Sequence, residues 1–147
     1  MALLLGLDFG TGGVRVGVFD LGARRMLGER EESYDTAFPR PGWAEQSPVG
    51  WWQALGRATR ALLRDLGSPE IAGMCVATTA STVVACRWDG TPLRPALLWM
   101  DCRAAAEAER SASSRNPVMD YVGGSNAAEW LISKAMWLKA HEPETYA

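Results

Sequence analysis

The sequence has a single histidine, three cysteines and no run of roughly 18 apolar residues, and each scarcity removes a class of function. His141 leaves no second histidine around which to assemble a serine–histidine triad, and beside Glu142-Pro143 it reads as a solvated helix end. Cys75, Cys86 and Cys102 are odd in number and lie 11 and 16 positions apart, so neither a disulfide framework nor a paired zinc spacing emerges. They are expected reduced and packed in the interior. The start Met1-Ala2-Leu3-Leu4-Leu5 has no basic segment before it meets Gly6 and Asp8, so it does not read as a signal peptide, and the expected location is cytoplasmic. No Lys/Arg cluster is present either: 15 basic residues stand against 17 acidic ones, a net charge of −2. Nucleic acid and anionic membrane are therefore not expected as partners.

What remains is a chain of 147 residues, 48% hydrophobic and 22% charged. That length holds one core and leaves no room for a two-lobed enzyme. Leu3 to Leu7 is a short apolar strand, Gly10 to Gly13 a turn, and Val14, Val16 and Val18 mark a second strand by alternation. Asp20-Leu21-Gly22 turns again, and Arg25 to Tyr34 is long enough for a third strand whose charges suit an edge. Two prolines and a glycine make Phe38 to Trp43 a loop. Ser47-Pro48 then caps a helix carrying Trp51, Trp52, Leu55, Ala58, Leu62 and Leu66 until Gly67 stops it, with Trp52 expected in the core. Ile71 to Ala77 and Val83 to Trp88 are strand-like, Asp89-Gly90 is a turn, and Ala96 to Met100 is an apolar run. A helix is expected from Asp101, a candidate N-cap, to about Ser113, with Glu107 on a solvated face. Tyr121 to Ser125 is a loop, and Trp130, Lys134, Trp137 and Leu138 have helical spacing, with Trp137 expected in the core. The order is α/β: an antiparallel three-strand meander followed by alternating helices and strands, ending without a closing strand, as a truncated domain would.

The chemistry concentrates at Asp8-Phe9-Gly10-Thr11-Gly12-Gly13. Glycines let backbone N–H groups approach an anion, Thr11 adds a hydroxyl, Asp8 can hold magnesium through water, and Arg15 returns a guanidinium to the same end. An ordinary hairpin turn is the competing reading. The segment is neither a Walker loop nor a dinucleotide fingerprint, since both open a helix and here a strand follows.

With these residues in view, the sequence resembles the FGGY carbohydrate kinases of the actin-like ATPase superfamily, whose fold is ribonuclease H-like. Gly6-Leu7-Asp8-Phe9-Gly10-Thr11 matches their first phosphate motif, with Arg15 at the basic position. Gly42-Trp43-Ala44-Glu45-Gln46, the paired Trp51-Trp52, Trp99-Met100-Asp101-Cys102-Arg103, and Glu129-Trp130 followed by Lys134 and Trp137 continue the likeness in order. Tyr121-Val122-Gly123-Gly124 with Glu129-Trp130 is similar to the ribulokinase and pentulose kinase branch. The sequence departs at Gly12, where many members carry Ser or Thr, and at Thr79-Ala80, where glycerol kinases carry Arg-Glu and xylulokinases place a His at the second position.

The resemblance implies that residues 1–147 are the N-terminal part of the first, sugar-binding lobe, with the second, nucleotide-binding lobe and the general base elsewhere. It implies ATP and Mg²⁺ as cofactors and a sugar or polyol, such as the ketopentose ribulose, as substrate. Asp8, Thr11 and Arg15 take catalytic positions, Asp8 also as metal ligand, and Gly10, Thr11, Gly12 and Gly13 surround phosphate. Thr79, Ala80, Ser81, Trp99, Asp101, Glu129 and Trp130 form the sugar side, where Trp99 and Trp130 can stack on C–H faces. A non-catalytic sugar-binding or structural remnant is the alternative, and the oligomeric state is open, a homodimer included.

Overall fold

A computed structural model describes residues 2–114 and 116–147. The chain divides into two units, Met1–Asp35 with Val49–Thr79, and Thr36–Pro48 with Ala80–Ala147. Among the described residues no helix is long and apolar enough to cross a membrane.

In the first unit, β1 (Leu3–Phe9), β2 (Gly13–Asp20) and β3 (Arg25–Ser33) form the expected antiparallel meander. The strands alternate, so β1 turns Leu5 and Leu7 and β2 turns Val14, Val16 and Val18 to one face. That face is covered by α1 (Pro48–Asp65), whose buried Ala54, Ala58 and Leu62 recur every four residues. Small residues on this stripe let the helix approach closely: a side chain at Gly28 of β3 would come within 3.1 Å of Leu62 Cδ1. A short β4 (Glu45–Gln46) precedes α1 and belongs to the second unit. After α1 the chain returns as β5 (Gly73–Thr78), parallel to β1, and the sheet order is β3-β2-β1-β5. The meander is thus sealed by a helical crossover, the arrangement a parallel neighbour requires. Two expectations fail here. Trp52 is 74% exposed, because the α1 stripe is defined by Ala54, Ala58 and Leu62 and Trp52 lies off it. Cys75 is exposed with Met74 and Val76 on β5, so packing does not account for it.

The second unit is built on short pairings. β4 pairs with β6 (Ala96–Leu97), and single bridges add Ala37 beside Glu45 and Val83 beside Leu97. Val83 to Trp88 is therefore not a strand; only Val83 and Cys86 make bridges, the second closing the turn at Asp89-Gly90 against Pro92. α2 (Ala105–Ala112) begins four residues after Asp101 and is preceded by Ala104 without a side-chain cap. Asp101 is thus no N-cap, for its carboxylate is engaged elsewhere, as described below. A 3₁₀ helix occupies Pro117–Val122, started by Asn116, whose side chain accepts from the Val118 N–H at 3.0 Å, and ended by Gly123 at φ +76°. It takes up two residues expected in the following loop. α3 (Leu131–His141) and α4 (Pro143–Tyr146) close the unit, and Trp137 and Leu138 pack with Leu97 and Ala104. Glu107 is 4% exposed, not solvated: His141 Nε2 lies 3.8 Å from its Oε1 and Arg110 3.7 Å. Cys86 and Cys102 are exposed as well.

Candidate functional site

The antiparallel register of β1 and β2 sets Asp8 directly opposite Arg15, and their side chains meet at 2.6 Å. Both are well exposed, so the pair stabilises the fold by only about 0–1 kcal/mol and an incoming anion can draw Arg15 away at little cost. Between them the turn is tightly held. The Gly10 N–H donates to the Gly13 carbonyl at 3.0 Å, and the Tyr34 N–H donates to the Gly12 carbonyl at 3.2 Å. The Tyr34 hydroxyl is shared between the Gly10 carbonyl and the Gly13 carbonyl, the latter at 3.0 Å. Burial, and then the Asp8 charge, push the Tyr34 phenol above its ordinary pKa, so it stays a donor at neutral pH. With its carbonyls occupied on the Tyr34 side, the turn is fixed in one conformation. A Cβ on Gly12 would meet nothing within 4 Å, whereas one on Gly13 would lie 2.7 Å from the Glu32 carbonyl oxygen. The turn is thus open at Gly12 and closed at Gly13. Thr11 lies half-buried within it.

In the second unit, Ser81, Leu98, Asp101 and Glu129 gather around Lys134. Asp101 is fully buried: Oδ2 accepts from the Ala44 N–H at 2.7 Å and from Arg103 Nη2 at 2.8 Å, while Oδ1 accepts from Arg103 Nε at 2.9 Å and its backbone N–H at 3.0 Å. Burial alone would raise this carboxyl. The Arg103 side chain, the two backbone N–H groups and the Arg103 charge together outweigh it and hold the pKa below the usual value. Arg103 also pairs with Glu45 at 2.7 Å, and its guanidinium lies 3.8 Å from the Trp43 ring centre and 5.0 Å from that of Trp137. Asp101 is therefore tied into the interior of its unit. Lys134 Nζ, fully buried, donates to the carbonyls of Ser81 at 2.8 Å and Leu98 at 2.6 Å. Glu129 Oε1 lies 3.9 Å from the Cys102 thiol, whose pKa is raised by burial and by the Glu129 and Asp101 charges. That thiol is no nucleophile at neutral pH.

The surface groups are simpler. Trp99 is 42% exposed and its N–H donates to Thr82 Oγ1 at 3.1 Å. Ala80 and Ser81 are exposed, and Thr79 directly follows the end of β5. Trp130 precedes α3 and lines a cavity of about 700 Å³ with Val118, Met119, Val122, Ile132 and Met136. Arg110, Ser111, Asn116 and Asn126 add polar groups to the same lining. Among the described residues no group of three or more His, Cys, Asp or Glu side chains is placed to hold a metal.

Sequence reasoning missed Tyr34, Arg103 and Lys134 as builders of these sites. Tyr34 was detectable, because the β2–β3 register pairs Gly13 with Ser33 and so brings the next aromatic to the turn. Lys134 had a weaker signal, a charge on the buried stripe that holds Trp137 and Leu138.

Residues 3–147 match the family model described as "FGGY family of carbohydrate kinases, N-terminal domain". The xylulose kinase of Escherichia coli strain K12 is 30% identical across 98% of this chain, and that of Staphylococcus xylosus 27% identical across 99%. The chain spans about 30% of the length of these relatives. Among solved structures, a xyloylose kinase from Brucella ovis superimposes with a TM-score of 0.90 at 27% identity, covering 98% of this chain and 30% of that one. A glycerol kinase from Plasmodium falciparum, solved with ADP, has a TM-score of 0.88 at 21% identity, covering 99% and 30%, and attests the shared fold alone. Glycine turn, meander and parallel fourth strand are those of the actin-like ATPase fold, and the chain belongs to the FGGY family of carbohydrate kinases.

Proposed function

We propose that this chain is the N-terminal part of the first lobe of an ATP-dependent carbohydrate kinase that phosphorylates a ketopentose hydroxyl, with the nucleotide-binding lobe and the general base outside these residues. The observation that carries the reading is the Asp8–Arg15 pair flanking a glycine turn that Tyr34 pins from one side. Phosphoryl transfer depends on positioning and charge neutralisation, and a preset turn with one basic and one acidic group serves both. Gly10, Thr11, Gly12 and Gly13 surround phosphate oxygens, and Arg15 faces the transferred group. Asp8 suits magnesium, an ion that keeps most of its water and binds through one or two carboxylates plus phosphate oxygens. When bound, the ion supplies neutralisation of phosphoryl charge.

On the sugar side, Thr79, Ala80, Ser81, Trp99, Glu129 and Trp130 line the acceptor, and Asp101 holds that wall through Arg103 and the Ala44 amide. Hydroxyls at Thr79 and Ser81 recognise a neutral polyol without adding charge. Relatives named xylulose kinase support a ketopentose acceptor, while others named glycerol kinase make a triol the acceptor to test beside it. A cytoplasmic location and a small sugar or polyol partner belong to the same proposal.

The test is ADP release by the protein that carries this domain, with D-xylulose, D-ribulose and glycerol as acceptors. Asp8→Asn is expected to lower kcat at least 100-fold while the sugar KM stays within threefold, because the carboxylate acts on the transfer step. Equal kcat in the variant and the parent would remove Asp8 from the mechanism, and no ADP release with any of the three acceptors would reject the ketopentose reading.

A further inference from the structure

Lys134 has no part in the phosphate turn and contacts no solvent, yet it is one of only two lysines in the chain. Taking an ammonium out of water is unfavourable, a cost that Asp101 and Glu129 nearby reduce. A methionine would fill the same space without it. The two carbonyls it binds suggest what the charge accomplishes. Val83 and Leu97 form a single bridge, exchanging backbone hydrogen bonds of 2.8 and 2.9 Å, and the Trp99 N–H reaches Thr82 Oγ1. Beyond that bridge the ladder ends, and Lys134 Nζ takes one carbonyl from each segment, Ser81 and Leu98. Ser81 is also held at φ +63°, a left-handed conformation that is unfavourable for a non-glycine residue and persists only when its surroundings enforce it.

We propose that Lys134 is a positioning residue, clamping the Ser81–Val83 segment to the Leu97–Trp99 segment and so fixing Ser81 and Trp99 as the wall the sugar meets. The inference rests on reading that wall as the sugar side, but the clamp itself can be tested without sugar. In the 147-residue chain at pH 7, Lys134→Met is expected to speed amide hydrogen exchange at Val83 and Trp99 at least tenfold. Val16 and Val18 of the sheet should stay within twofold. Lys139→Met, on the same helix, should leave all four unchanged. Exchange at Val83 and Trp99 within twofold of the parent overturns the clamp.

If Lys134→Met does not fold, the parent chain decides. A slowly exchanging Lys134 ammonium resonance, coupled through hydrogen bonds to the Ser81 and Leu98 carbonyl carbons, supports the proposal; ammonium signals that exchange as fast as those of Lys139 overturn it. Titration with D-xylulose, read at the Trp99 indole, is expected to give at least tenfold weaker binding in Lys134→Met. Exchange behaving as expected while the parent's indole ignores the sugar would uphold the clamp and reject the sugar reading of the wall.

Discussion

Gly12 and Gly13 are neighbours in one turn with opposite tolerance for a side chain. At Gly13 an added Cβ would lie 2.7 Å from the Glu32 carbonyl oxygen and 3.2 Å from the Ser33 Cα, all backbone atoms that cannot swing aside. Gly13→Ala must therefore push β3 from β2 or bend the turn, at an expected cost of about 1–3 kcal/mol. Gly12→Ala meets open space and should change stability by no more than about 0.5 kcal/mol. Urea unfolding of both variants checks the contrast, and equal costs would mean that the turn relaxes more freely than its Tyr34 hydrogen bonds imply.

Among the elements, α1 is the one whose boundaries and face do the most. It begins at Pro48, where a proline costs no intrahelical hydrogen bond, and it stops where Gly67 adopts φ +76°. Ser68, next to it, is left-handed as well and its N–H returns to the Leu63 carbonyl at 2.7 Å, which closes the helix end. Gly67→Ala has space for its Cβ but not the conformation, so a loss of about 1 kcal/mol is expected on thermal or urea unfolding. A loss under a few tenths would show that the helix end shifts to another cap. In the second unit the comparable element is α3. Its inward residues Lys134, Trp137 and Leu138 serve three different partners: backbone carbonyls, the Trp43 and His141 rings, and the aliphatic core.

For the whole molecule, acid sensitivity should trace to Asp101. Its folded pKa lies below the ordinary value, so in the intervening range the unfolded chain binds more protons than the folded one. The stabilisation is therefore complete above about pH 4, the ordinary carboxylate value, and is lost as pH falls through the lowered folded value. Asp101→Asn should cost about 3 kcal/mol at pH 7, since it leaves the buried Arg103 with less compensation. The difference between variant and parent should shrink as pH falls below 4. Unfolding curves at pH 7, 5 and 3 test this, and a difference independent of pH would assign the acid response to another group. The same pair explains why the Trp-x-Asp-x-Arg segment is legible as a motif: its Asp and Arg pair two residues apart, and the Trp is left at the surface.

How much of this was legible depended on how local the cause was. Alternating valines with Asp20-Leu21-Gly22 fix the meander, and the stop at Gly67 fixes the end of α1, because strand pleat, turn chemistry and left-handed backbone act over a few residues. The glycine turn was readable for the same reason, since Asp8 and Arg15 are brought opposite by a hairpin whose register follows from its length. Residues 83–88 misled because β-branched composition marks a strand only where a partner ladder exists, and here the partner offers one bridge. Trp52, Glu107 and the cysteines misled because burial is set by what packs above a residue rather than by its type. Sequence alone settled the family, the meander and the acid at its turn, all products of short-range pattern. Tertiary structure alone decided that Asp101 is tied to the Ala44 amide, that Tyr34 holds the turn and that Lys134 spans two segments, because those contacts join residues from 24 to 57 positions apart and depend on which backbone groups the fold leaves without a partner.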